Sequence, residues 1–164
     1  MKLLKDICVA KSSNIALKDL SLESGEYPIY GASGLITHVD FCKVNQPYVG
    51  VVKDGAGVGR VMLLPANSSV IGTMQCIIPN ENTDVNYLAY LLDSLDLGRF
   101  CSGATIPHIY FKDYGKESIY CPAYEDQVRL AKGLELIDVG IEHERAVLRG
   151  LQTVKAYLLS ALFI

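Results

Sequence analysis

The sequence contains no Pro-Pro dipeptide, no Asp-x-Lys or Glu-x-Lys, and no Cys-x-x-Cys. Each absence removes a chemistry. Enzymes that methylate a flipped base's amino group grip it with an Asn/Asp-Pro-Pro-aromatic loop, which this chain cannot form. Metal-dependent nuclease sites of the common kind place a carboxylate two residues before a lysine, so that both converge on metal and water. Zinc sites show close ligand pairs, whereas Cys8, Cys42, Cys76, Cys101 and Cys121 are scattered. An odd cysteine count and no signal peptide predict free thiols in a reducing cytoplasm. No uncharged apolar run approaches the roughly 18 residues of a membrane span, so a soluble cytoplasmic protein without membrane contact is expected. The last absence is proline: none follows Pro122.

What fills those proline-free residues is a repeat. Leu130, Leu134, Ile137, Ile141, Leu148, Leu151, Leu158 and Leu162 recur at steps of four and three, with Glu144 and Lys155 in the gaps. That is a heptad seam on one long helix. About 40 residues make a helix roughly 60 Å long, too long for a 120-residue domain to cover. The seam therefore predicts a partner helix, and these eight residues are the expected dimer interface. Gly133 and Gly140 cost about 1 kcal/mol each against alanine in a helix interior. Close helix–helix approach would offset that cost, and simple tolerance is the alternative. Glu144 and Lys155 inside the seam would fix register at some loss of stability.

Residues 1–122 carry 10 Lys/Arg and 12 Asp/Glu, a net of −2, and the arm from 123 to 164 carries 5 and 6, a net of −1. Neither is the basic body of an indiscriminate nucleic-acid binder. Any DNA contact must use local positive charge or a partner's. With half its residues hydrophobic, the chain can bury a real core.

Along the first 122 residues, 1–24 read as irregular with one short helix. Residues 27–36 read as strand with a glycine-rich bend. Strands are expected at 48–52, 61–64, 70–78, 109–111 and 118–121. Thr83 or Asp84 can cap a helix over 86–97. The glycines at 55, 57 and 59 invite a phosphate-loop reading, but the residues that follow are strand-like and no Gly-Lys-Ser/Thr occurs. A glycine-rich hairpin or bulge fits better. The fold class is α+β: a strand-rich mixed domain over 1–122, largely antiparallel, then one long helix over 123–164 pairing as an antiparallel coiled coil.

The order of segments resembles the specificity (S) subunit of type I restriction–modification systems. The resemblance rests on Tyr27-Pro28-Ile29-Tyr30-Gly31-Ala32-Ser33-Gly34 and on the strand–glycine–strand stretch Tyr48 to Val61. It continues in Gly103-Ala104-Thr105-Ile106-Pro107-His108-Ile109, where the family has a Gly-x-x-x-Pro-x-Ile turn. Pro122 to Gln127 resembles the Pro-x-x-Glu-Gln start of the family's conserved helix, with Asp126 in place of Glu, and Leu148 to Phe163 resembles that helix's end. Family members carry two target-recognition domains and two such helices, so this chain resembles a half subunit. That leaves a self-dimerising half, one of a split pair, or a truncated or remnant form.

The resemblance implies recognition without catalysis, with no catalytic residue, metal or cofactor of its own. Its implied partners are double-stranded DNA, itself or a second half S subunit, DNA methyltransferase (M) subunits and restriction translocase (R) subunits. Candidate DNA contacts are Lys53 and Arg60 beside the glycine turn, Tyr30 and Ser33 at the glycine-rich bend, His108 in its turn, and Lys43, Lys112 and Lys116 as phosphate ligands. The blander alternatives are solvated lysines, a core ring at Tyr30, a structural His108 and glycines serving only the backbone. Two other classes compete: a protein–protein adaptor working through its coiled-coil arm, and a small enzyme with an unrecognised site.

Overall fold

The structure, a computed structural model, describes residues 1–20, 25–103 and 105–163. Part of the irregular stretch expected near the N-terminus (21–24), Ala104 of the proline turn and Ile164 at the end of the arm lie outside the described residues. The chain divides into two compact units, Met1–Val128 and Arg129–Ile164.

The first unit is organised by β5, Tyr48–Val52, whose five residues are all buried. A strand this apolar can only sit where both of its faces are covered. Its neighbours are β6 (Val61–Leu64) and β8 (Met74–Pro79), and β2 (Cys8–Ser12) pairs with the far side of β8. The four-stranded antiparallel order is β2-β8-β5-β6. Alternation then sorts side chains between the two faces. Val49, Val51 and Ile77 pack with Leu88, Leu92, Ile109 and Tyr114 on one face. Tyr48, Val52, Met74 and Cys76 pack with Val44, Leu64 and Val70 on the other. Gly50 lets that second core close over the strand: a Cβ there would stand 2.6 Å from Leu64 Cδ1 and would push that side chain aside.

A second sheet has the order β4-β3-β7, formed by β3 (Tyr27–Gly31), β4 (Gly34–Val39) and β7 (Ser69–Val70). The β3–β4 hairpin is the expected bend, with a register shift between Ile29 and Tyr30. The β3–β7 pair is parallel, an exception to the antiparallel expectation. A two-stranded pair joins β1 (Lys2–Leu3) to β9 (Ser118–Ile119).

Five expectations need correction. The N-terminal stretch holds strand β2. The apolar run 70–78 is two strands, split by a turn in which Met74 N–H donates to the Ile71 carbonyl. The internal helix, α1, runs Val85–Ser94 rather than to 97, because Leu95 leaves helical geometry and Leu97 opens a separate 3₁₀ turn. Its cap is Asp84, whose carboxylate accepts from Tyr87 N–H at 2.8 Å. Residues 109–111 are not a strand: Phe111–Tyr114 form a single helical turn, α2, with the two rings edge-on at 5.2 Å. The strand expected over 118–121 stops at Ile119.

The long helix, α3, spans Tyr124–Phe163. Its first turn belongs to the first unit and is tied there by Gln127, 1% exposed. The Gln127 amide accepts from Asp84 N–H at 3.0 Å and donates to the carbonyls of Pro122 (3.0 Å) and Asn82 (3.2 Å). One side chain thus joins the start of α3 to the cap of α1. Gln127→Leu should lower the unfolding free energy by about 1–3 kcal/mol, since it strands buried partners. Urea denaturation measures this, and an unchanged midpoint would contradict it.

From Arg129 to Phe163 the helix is exposed apart from Ala131. The seam residues are all open to solvent, from Leu134 at 41% to Leu162 at 71%.

Candidate nucleic-acid interface

Three turns of the first unit are hydrogen-bonded to one another. The first is the β3–β4 bend. The second joins β5 to β6, where Val52 N–H donates to the Arg60 carbonyl and Gly59 N–H to the Val52 carbonyl. Gly59 has φ +86°, which disfavours a side chain, and its α-carbon faces Gly98 N and Leu97. The third is the proline turn, closed by paired backbone bonds between Ser102 and His108.

The links between the turns are specific. The Arg60 guanidinium donates to the Ala32 carbonyl at 2.6 Å, fastening the β5–β6 turn to the β3–β4 bend. Gly55 N–H donates to the Pro107 carbonyl and Ile109 N–H to the Lys53 carbonyl, both at 2.9 Å. Lys53 and Asp54 N–H groups both donate to the Thr73 carbonyl. The result is a braced set of turns, which suits a surface that must present groups in fixed register.

Of the candidate contacts, Tyr30, Ser33, Lys53, Arg60 and His108 come together in these turns. Ser33 and Arg60 are exposed. Tyr30 is half-buried against the Tyr48 core, in keeping with its reading as a core ring. Lys53 is partly buried and paired with Asp54 at 2.6 Å, so its charge is already partly answered. The His108 ring lies near the Ile106 carbonyl (Nδ1–O 3.2 Å) and edge-on to Tyr110 at 5.0 Å. Lys112 rests over the other partner of that pair, with Nζ 5.0 Å from the Tyr110 ring centre. Such a cation–π contact holds a flexible lysine in place. Lys116 is exposed in the turn after α2.

Lys43 is not with this group. Its ammonium lies over Phe41, and its backbone N–H donates to Ser69 Oγ. Tyr110 and Ile106, absent from the candidates the sequence offers, are 46% and 63% exposed at the proline turn. Large apolar side chains left open beside polar turns are the signal that could have found them.

The buried thiols are not poised as nucleophiles. Burial pushes Cys8 up to about 12 and Cys76 up to about 11, the latter against the nearby Lys11 charge and a Tyr48 hydrogen bond, which pull it down. The Tyr48 and Tyr114 hydroxyls are likewise raised by burial. Among the described residues, no group of three or more His, Cys, Asp or Glu could hold a metal ion, and no helix is long and apolar enough to cross a membrane.

A mixed sheet unit that braces its turns, followed by a long helix with an open apolar seam, has the fold of solved S subunits. The chain aligns with the S subunit of a type I restriction–modification system from M. genitalium at a TM-score of 0.69 and 19% identity, covering 99% of this chain and 46% of that one. It also aligns with the HsdS subunit from Thermoanaerobacter tengcongensis at 0.67 and 19%, covering 88% and 39%. A chain from a type I R-M system, solved to explain complex assembly and conformational transition, gives 0.68 and 19%, covering 98% and 42%. The chain thus spans less than half the length of these structures. No curated protein matches the sequence.

Residues 1–152 match the family described as type I restriction modification DNA specificity domain. The chain belongs to that family.

Proposed function

We propose that this chain is a non-catalytic DNA-specificity subunit that reads one half of an interrupted target and acts as a dimer. In this reading residues 1–122 are the target-recognition domain and 123–164 the spacer and dimerisation helix. Two such helices pair antiparallel, methyltransferase subunits dock to supply methyl transfer, and translocase subunits supply cleavage. The observation that carries the reading is the family match, which runs through the globular unit and most of the helix.

Other features support it. Ser33, Arg60, Lys112 and the Tyr110 ring offer charge-assisted and polar groups of the kinds used on phosphates and base edges. The eight seam residues are exposed. At Gly133 and Gly140, each one position before a seam residue, a Cβ would meet nothing within 4 Å among the described residues, so no close packing there explains these helix-weakening glycines. A partner backbone approaching that face would.

Duplex binding measured with and without a cognate methyltransferase tests the reading. Sequence-selective binding in the assembled complex is expected. Assembly with no preference among duplexes would instead favour a protein–protein adaptor.

A further inference from the structure

We propose that a cleft at the C-terminal end of β2, outside the three braced turns, binds a phosphate of the DNA backbone. This rests on the DNA-reading function proposed above and adds a contact surface to it. The cleft has a volume of about 230 Å³ and is lined by Lys11, Ser12, Ser13, Asn14, Lys43 and Cys76, with two valines. Lys11 is the register partner of Cys76, and paired residues share a face of the sheet. That places the Lys11 side chain on the cleft side.

The lining is chemically one-sided. Among the described residues, no Asp or Glu lines the cleft. Among the described residues, no carboxylate forms an ion pair with Lys11 or Lys43. Ser13 Oγ accepts from Ile15 N–H at 3.2 Å, which leaves its hydroxyl proton free to donate. Two ammonium groups with hydroxyl and amide donors match an oxyanion rich in acceptor oxygens. In a chain of net charge −3, two lysines that line one cleft with no carboxylate partner among the described residues mark a local anion preference.

Position joins the cleft to the candidate interface. Gly72 N–H donates to the Ile15 carbonyl, and the next carbonyl along, that of Thr73, accepts from Lys53 and Asp54. The turn 71–73 thus has the cleft's rim on one side and the glycine turn on the other. β2 and β5 flank β8, so they lie two strand spacings apart, roughly 10 Å. That is about three base pairs along a duplex at 3.4 Å each. A duplex lying over the turns can carry its backbone across the cleft.

The test follows backbone amide resonances of the full chain by NMR during titration with duplex DNA and, separately, with inorganic phosphate. It then compares the salt dependence of duplex binding with that of a Lys11→Gln/Lys43→Gln variant. Both lysines are exposed, and the variant's amide spectrum reports directly on whether it folds. We expect duplex to shift Ser12 and Asn14. The variant should reduce the log–log salt slope by about 1, with equal loss on cognate and scrambled duplexes. The inference is overturned, with the DNA-reading function intact, if duplex shifts residues 31–34 and 53–60 but leaves Ser12, Asn14 and the salt slope unchanged. Shifts with inorganic phosphate alone would overturn it in favour of a free-anion site. A chain that answers duplex at neither surface would overturn the function and this inference together.

Discussion

Replacing both Ile137 and Ile141 by glutamate should leave a monomer where the proposed dimer is expected, at about 20 µM, a concentration at which a dimer of micromolar affinity (about −8 kcal/mol) is well populated. The two side chains are 59% and 43% exposed in the single chain. Full burial of an isoleucine contributes about 1.5–3 kcal/mol. Only about half of each side chain is left for a partner to cover, and a two-fold interface uses each residue twice, so the pair accounts for about 3–6 kcal/mol across four side chains. That is a large part of the binding free energy of a micromolar dimer. Glutamate at least matches isoleucine in helix propensity, so far-UV circular dichroism should keep its helical signal while light scattering halves the mass. Gln152→Glu, off the seam, should leave the dimer intact. A wild type that is monomeric at this concentration would count against the paired arm.

Removing residues 141–147 should shorten the unread spacer of the DNA target. Seven residues are one heptad, so Ile137 is followed by Leu148 in the place of Ile141 and the seam keeps its phase. The arm loses roughly 10 Å at 1.5 Å per residue, about three base pairs at 3.4 Å each. If the arms lie oblique to the duplex the change is smaller, but its direction stays the same. Two identical halves related by a two-fold axis also make the target an interrupted palindrome, because site symmetry mirrors protein symmetry. An asymmetric target would identify a second, different specificity chain as the partner. An unchanged spacer would show that the arm is not the ruler.

The parts of the fold that were legible are those fixed by local pattern. β5 is a continuous apolar run opened by a proline, and α3 is a proline-free heptad repeat, so both stand near where periodicity put them. Strand β2 was hidden because Cys8–Ser12 carries Lys11 and Ser12 on an edge strand and lacks clean alternation. At Phe111 the apolar run was too short for its period to be read. Packing against Tyr114 and the backbone bond of Gly115 N–H to the Phe111 carbonyl decide the helical turn. The candidate site shows the same division. Glycines at 55–59 marked a hairpin, but the bond from Arg60 to Ala32 spans 28 positions of sequence, and no local pattern encodes it. By sequence Lys43 stands with Lys112 and Lys116 as an expected phosphate ligand, yet it lines a separate cleft with Lys11.

In the function we propose, this chain chooses the DNA sequence while other subunits perform the chemistry. Mapping methylated adenines across the genome of cells carrying the cognate methyltransferase, with and without this chain, tests it most directly. A two-part motif with an unread spacer that vanishes when the chain is absent is the expected result. The same motif persisting without the chain, or methyl transfer from S-adenosylmethionine by the purified chain alone, would contradict it.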